Sequence, residues 1–125
     1  MSGEEFPARW LGGAVVVRLP AEADLTSADA LREALLAVLN QGARALIVDM
    51  TATVFCDSAA IHSITRAARR AAASGAEIRL AACTQPVLRV LGLLGIDRVV
   101  GVHPTVSDAC DSLPDGPVSP AAAGR

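Results

Sequence analysis

Aromatic side chains are nearly absent from this 125-residue chain: 2% of positions, with two phenylalanines, one tryptophan and no tyrosine. That scarcity removes the platforms on which bases stack, and a net charge of −2 gives no electrostatic reason for a nucleic-acid partner. Lysine is missing too, all eleven basic residues being arginine. With the abundant alanine, this reads as the codon usage of a GC-rich genome rather than as a function. Cysteine is sparse and odd in number, and Cys56, Cys83 and Cys110 show no Cys-x-x-Cys or Cys/His spacing. A disulfide framework or a zinc site is therefore not indicated, and all three are expected to be small buried apolar residues. Although 52% of the residues are hydrophobic, no apolar run approaches the roughly eighteen needed to span a bilayer. The opening MSGEEFPARW has two glutamates and no apolar core, so no secretory signal is read there. The expected setting is cytoplasmic, without membrane insertion.

Catalytic signatures are equally scarce. There is no G-x-S-x-G elbow, and neither His62 nor His103 sits in a triad context. No G-K-[ST] follows the one glycine pair, Gly12-Gly13, and the carboxylate pair Glu4-Glu5 lies in a terminus expected to fray. No catalytic residue, metal site or cofactor site is read from the sequence. The expectation is a binding protein rather than an enzyme.

What the chain does have is a regular alternation of strand and helix patterns, of a length suited to one domain. Phe6–Trp10 reads as a short strand, turned at Gly12-Gly13 into the β-branched strand Ala14–Leu19, which ends at Pro20. Residues 21–25 read as a loop. Thr26 and Asp29 have capping-box spacing for a helix whose apolar face is Ala28, Leu31, Leu35 and Val38. Asn40-Gln41-Gly42 closes it. Ala45–Val48 is a continuous apolar run, as expected of a strand covered on both faces, with Asp49 at its carboxyl end. A second helix runs from about Ser58 to Ser74 with the stripe Ile61, Ile64, Ala68, Ala71 and Ala72, and stops at Gly75. The strand Glu77–Ala81 follows. Thr84 and Pro86 open a third helix through Leu94, stopped at Gly95; Val99–Val102 reads as a strand; Thr105 and Asp108 cap a final helix to about Leu113. His103 is expected in a loop, and Trp10 either caps a sheet edge or anchors a contact. Residues 114–125 lack apolar periodicity and are expected to be a disordered tail. The order predicts an α/β fold: a mixed, mostly parallel sheet of four to five strands with about four helices and one antiparallel edge.

The stretch Val54-Phe55-Cys56-Asp57-Ser58 carries the functional question. Ser58 falls at the N-cap or the first residue of the second helix, among unpaired N–H groups in the positive field of the helix end. Such a serine is either a plain cap or a place where phosphate is well received. His62, Arg66, Arg69 and Arg70 fall on one exposed face of the same helix, which is either an ordinary solvated surface or a strip that steers an acidic partner.

Glu22-x-Asp24 after the second strand, the strand ending in Asp49, and the 54–58 segment together resemble the STAS domain of bacterial anti-sigma factor antagonists. Gly75-x-Glu77-x-x-Leu80, Pro86-Val87-x-x-Val90-Leu91 and Leu93-x-Gly95-Ile96 fit the same pattern, so the likeness covers residues 5 to 113. It implies a STAS-like domain over residues 1–113. It also implies a partner that is both anti-sigma factor and serine kinase, and phosphorylation of the serine at position 58. A partner-binding surface of Glu22, Asp24, Thr26, Asp57, Ser58, Ala59, His62 and Arg66 follows, on a chain monomeric when free. The family usually continues Asp-Ser with Ser or Thr and then Gly, where this chain has Ala59-Ala60. That departure keeps a second expectation open: a non-phosphorylated scaffold or accessory subunit of a transporter or lipid-transport complex.

Overall fold

Four apolar residues in a row cannot all face one side of a strand, and Ala45–Val48 needs protein on both faces of its sheet. It finds this at the centre. The computed structural model describes residues 6–114, in which the chain forms β1 (Ala8–Leu11), β2 (Ala14–Arg18), β3 (Glu22–Ala23), α1 (Ala28–Asn40), β4 (Ala45–Asp49), β5 (Phe55–Cys56), α2 (Ser58–Ser74), β6 (Glu77–Ala81), α3 (Gln85–Leu94), β7 (Gly101–His103) and α4 (Val106–Asp111). The main sheet has the order β1-β2-β4-β6-β7. β1 is antiparallel to β2, and every other pairing is parallel, with β4 registered Leu46↔Val15 and Val48↔Val17 on one side and Leu46↔Ile78 and Val48↔Leu80 on the other. This is the predicted α/β architecture, with five strands in the main sheet and four helices among the described residues.

Alternation along the strands divides the core in two. Val15, Val17, Leu46, Val48, Ile78 and Leu80 face a large apolar cluster that also takes Leu31 and Leu35 of α1, Ile61 and Ile64 of α2, and Val87 and Leu91 of α3. Ala14, Val16, Ala45 and Ile47 face the opposite side, where Ala109 and Cys110 of α4 with Leu113 cover them. Three helices thus pack on one face and a six-residue helix on the other. Because β2, β4, β6 and β7 follow one another outward in a single direction, the strand order never reverses. The crevice at a switch point, where doubly wound sheets bind nucleotides, does not form.

Helix ends agree with local chemistry in several places. Gly75 and Gly95 end α2 and α3 in the left-handed region, at φ 79° and 76°. The Thr105 hydroxyl accepts from Asp108 N at 2.9 Å, as its spacing predicts. Elsewhere tertiary contacts override the pattern. β1 starts at Ala8, not Phe6; Phe6 instead drops into the core, and the Pro7 carbonyl accepts from Arg18 N. Residues 22–23 are a strand rather than a loop, paired with Phe55–Cys56. The last strand is Gly101–His103 rather than Val99–Val102, because Ile96–Arg98 forms a 3-10 turn that leaves Val99 exposed. His103 accordingly lies on a strand, not in a loop. The buried side of α2 is Ala60, Ile61, Ser63, Ile64, Ala67 and Ala71; Ala72 is exposed and Ala68 half-buried, so the expected stripe was rotated slightly. Cys56 and Cys110 are buried as expected but Cys83 is exposed. Trp10 sits on the edge strand β1, partly exposed. Of the expected tail, 115–125 lies outside the described residues, as do Glu4 and Glu5.

Candidate functional site

The carboxyl ends of β2 and β4 lead into two loops that the chain ties together. β3 and β5 pair in parallel, Glu22 opposite Phe55 and Ala23 opposite Cys56. Val54 N and Asp57 N donate to the Ala21 and Ala23 carbonyls at 2.8 and 3.2 Å. The buried Thr53 hydroxyl donates to the Pro20 carbonyl at 2.8 Å, and the Thr84 hydroxyl donates to the Thr53 carbonyl at 2.9 Å. The start of α2 is thereby fixed against the loop that precedes α1.

Asp57 completes the link. It is the N-cap of α2, its Oδ1 accepting from Ala60 N at 3.1 Å, while its Oδ2 accepts from Leu25 N at 3.0 Å. One carboxylate therefore satisfies an orphan amide of the helix and a loop amide 32 residues away. Asp24 shapes that loop: its Oδ1 accepts from the Thr26 amide at 3.0 Å and the Thr26 hydroxyl at 2.6 Å. The expected capping box of Thr26 with Asp29 is not made, since the Thr26 hydroxyl is spent on Asp24 and Ser27 occupies the cap position of α1. The Ser63 hydroxyl donates to the Ala28 carbonyl at 2.7 Å, tying the second turn of α2 to the first residue of α1.

Ser58 is the next residue along and has none of these ties. It is the first residue of α2 and not its cap, it is exposed, and among the described residues nothing accepts from or donates to its hydroxyl. Of the two local readings, the plain cap is thus taken by Asp57. Ala60 is fully buried, so its methyl points into the core; Ala59 is half-buried beside Ser58. Glu22, Thr26, His62 and Arg66 are exposed and Asp24 and Asp57 half-buried. The structure gathers Glu22, Asp24, Thr26, Asp57, Ser58 and Ala59 at one end of α2. His62 continues from Ser58 one turn on, and Arg66 two turns on.

The sequence singles out Val54 and Phe55 within the 54–58 segment without giving them a contact role, and Leu25 not at all. Leu25, Val54 and Phe55 are 73%, 52% and 49% exposed, and Phe55 edges a groove of about 330 Å³ against Cys56, Gln85, Pro86, Arg89 and Val90. Their signal was weak: single apolar residues in short loops carry no periodicity. The Cys56 thiol beneath them is pushed up by burial and, to a lesser degree, by the Asp57 charge, so it stays protonated and poorly nucleophilic at neutral pH. Among the described residues no three His, Cys, Asp or Glu side chains stand together as a metal would require, and no helix is long and apolar enough to cross a membrane.

The STAS domain family model matches residues 6–109, nearly all of the described chain. The chain belongs to the STAS domain family. Among solved structures, an anti-sigma factor antagonist from Mycobacterium paratuberculosis is 25% identical, with TM-score 0.77 over 83% of this chain and 88% of that one. The Bacillus cell fate determinant SpoIIAA in its phosphorylated form is 21% identical, with TM-score 0.66 over 85% and 96%. A sulfate transporter family protein from Wolinella succinogenes shares the STAS fold at 17% identity, with TM-score 0.68 over 78% and 81%. No curated protein matches the sequence.

Proposed function

We propose that this STAS domain is an anti-sigma factor antagonist: it binds a protein that is both anti-sigma factor and serine kinase, and phosphorylation of Ser58 ends that binding. The observation that carries the reading is the exposed Ser58 hydroxyl at the first position of α2, which makes no bond among the described residues and is held in place by the neighbouring Asp57. The likeness to an anti-sigma factor antagonist agrees with it. The protein acts in the cytoplasm as a binding module rather than as an enzyme, and is a monomer when free. Glu22, Asp24, Thr26, Asp57, Ser58, Ala59, His62 and Arg66 form the surface the partner covers.

The switch works by charge. A phosphoserine brings about −1.5 to −2 charges and three acceptor oxygens. At the start of a helix these meet unpaired amides and a favourable dipole worth roughly 0.3–1 kcal/mol at an exposed site, so the fold tolerates the modification. A docked partner does not, because the new charge would have to lose its water beside Asp57 and Asp24. Losing about 4 kcal/mol of binding lowers affinity roughly a thousandfold.

The test is incubation with candidate anti-sigma kinases and ATP, read by intact mass. One phosphoryl group is added to wild type and none to Ser58→Ala; transfer that persists in Ser58→Ala refutes the assignment. Ser58→Asp is expected to weaken partner binding at least tenfold with an unchanged thermal midpoint. The fold shared with a sulfate transporter family protein keeps the accessory-subunit reading in view. Absence of transfer, together with tight binding to a membrane-transport component, would select it.

A further inference from the structure

Helix α2 contains no acidic residue: its sequence SAAIHSITRAARRAAAS holds three arginines and a histidine with no anion to offset them. Arg66, Arg69 and Arg70 stand at i, i+3 and i+4, the spacings at which like charges repel along a helix. The helix dipole does not account for them, since the last turn of α2 carries no basic residue. All three are exposed, and among the described residues none is ion-paired. Arg32 of α1 reaches the same place from the other side, its only ion pair among the described residues a 3.5 Å contact with Asp29, whose side chain is 90% exposed. Arg32, Leu36, Arg66, Arg69 and Arg70 line one concavity of about 490 Å³ between α1 and α2. The rest of the chain is net acidic, which makes this a local reversal of sign.

We infer that this groove is a docking site for an acidic helical segment of a protein partner. Charge complementarity selects an acidic occupant, and guanidinium forks pair with carboxylates in bidentate geometry. The spacing selects a helix, because carboxylates at i, i+3 and i+4 on the incoming segment match the arginine spacing on α2, and Leu36 offers an apolar contact between them. The groove begins about 12 Å along the helix from Ser58 and shares Arg66 alone with the surface proposed above. Binding of the acidic segment relieves repulsion among the arginines.

The experiment uses the full chain and a fluorescent, capped alanine-based peptide with glutamate at i, i+3 and i+4 spacings, followed by anisotropy. Binding is expected at low salt, weakening as ionic strength rises to about 0.2 M. The Arg66→Glu/Arg70→Glu protein should bind at least tenfold more weakly, and Arg66→Gln/Arg70→Gln should fall between it and wild type. Thermal midpoints, measured alongside, should match wild type because all the altered side chains are exposed. Equal binding by wild type and the charge-reversed protein overturns the proposal, as does equal binding of a peptide with glutamine in place of glutamate. Sedimentation of wild type with vesicles containing phosphatidylglycerol, with no peptide binding, also overturns it and assigns the groove to a lipid surface.

Discussion

At its N-terminal end, α2 is stitched to its surroundings: Asp57 holds Ala60 and Leu25 at once, Ser63 holds the Ala28 carbonyl, and β3 and β5 clamp the loops behind them. Eight residues further on, Arg66, Arg69 and Arg70 share the same helix and touch no carboxylate among the described residues. The first region is defined by geometry, with short, directional bonds that fix where the Ser58 hydroxyl stands. The second is defined by charge, which acts over a Debye length and tolerates side-chain motion. A switch that one hydroxyl operates needs the former; a surface that attracts a partner needs only the latter.

The change expected to cost most removes what the two regions share. Ile64 is fully buried beneath the middle of α2, and Ile64→Ala should lower unfolding free energy by about 2–5 kcal/mol in urea titrations. A loss below about 1 kcal/mol would mean that the end contacts, and not the core, hold the helix. Next comes Asp57→Ala, which removes a helix cap and a loop tether together and should cost about 1–2 kcal/mol, with Asp57→Asn recovering only part of it because its one oxygen can accept from just one of the two amides. The matching change in the charged region, Arg70→Gln, should stay within about 0.5 kcal/mol. Equal costs for the two would erase the contrast.

A smaller effect is expected with pH. Burial, with a minor part from Asp57, raises the Cys56 thiol above its ordinary 9.0, so the unfolded chain releases that proton first. Stability from this group is therefore full below that ordinary value and is lost as pH climbs from there towards the higher folded value. Cys110 acts in the same sense, again chiefly through burial. Thermal midpoints across alkaline pH should fall less steeply for Cys56→Ala than for wild type; an identical slope would show that the thiol does not feel its surroundings. The smallest effect belongs to Ser58→Ala, which should leave unfolding free energy within about 0.5 kcal/mol, because the hydroxyl makes no bond among the described residues. A cost near that of Asp57→Ala would make Ser58 a structural residue after all.

Much of this was legible from residue order. Ala45–Val48 announced a doubly covered strand, Gly75 and Gly95 announced helix ends, and Thr105 with Asp108 announced a cap. Each rests on chemistry within a few residues. What the pattern left open or missed has a common cause in groups that compete for the same partner. Ser58 and Asp57 are both good caps, and the carboxylate takes the role because its second oxygen also reaches Leu25. Thr26 had the spacing to cap α1, but Asp24 lies nearer to its hydroxyl. Val99 is β-branched and strand-like, yet the 3-10 turn at Ile96–Arg98 delays the strand by two residues. The candidate surface was half readable: its polar members stood out in the sequence, while the exposure of Leu25, Val54 and Phe55 beside them did not.

By itself, the sequence determined the kind of fold, because alternating strand and helix periods with short connections leave a mostly parallel sheet as the way to bury both patterns. It also determined that a serine stands at the mouth of α2. Only the tertiary structure decided that this serine makes no side-chain bond among the described residues while its neighbour makes two, and that Arg32 joins three arginines from another helix around one hollow. Both depend on groups far apart in the chain, and a hydrogen bond or a shared field is set by distance in space.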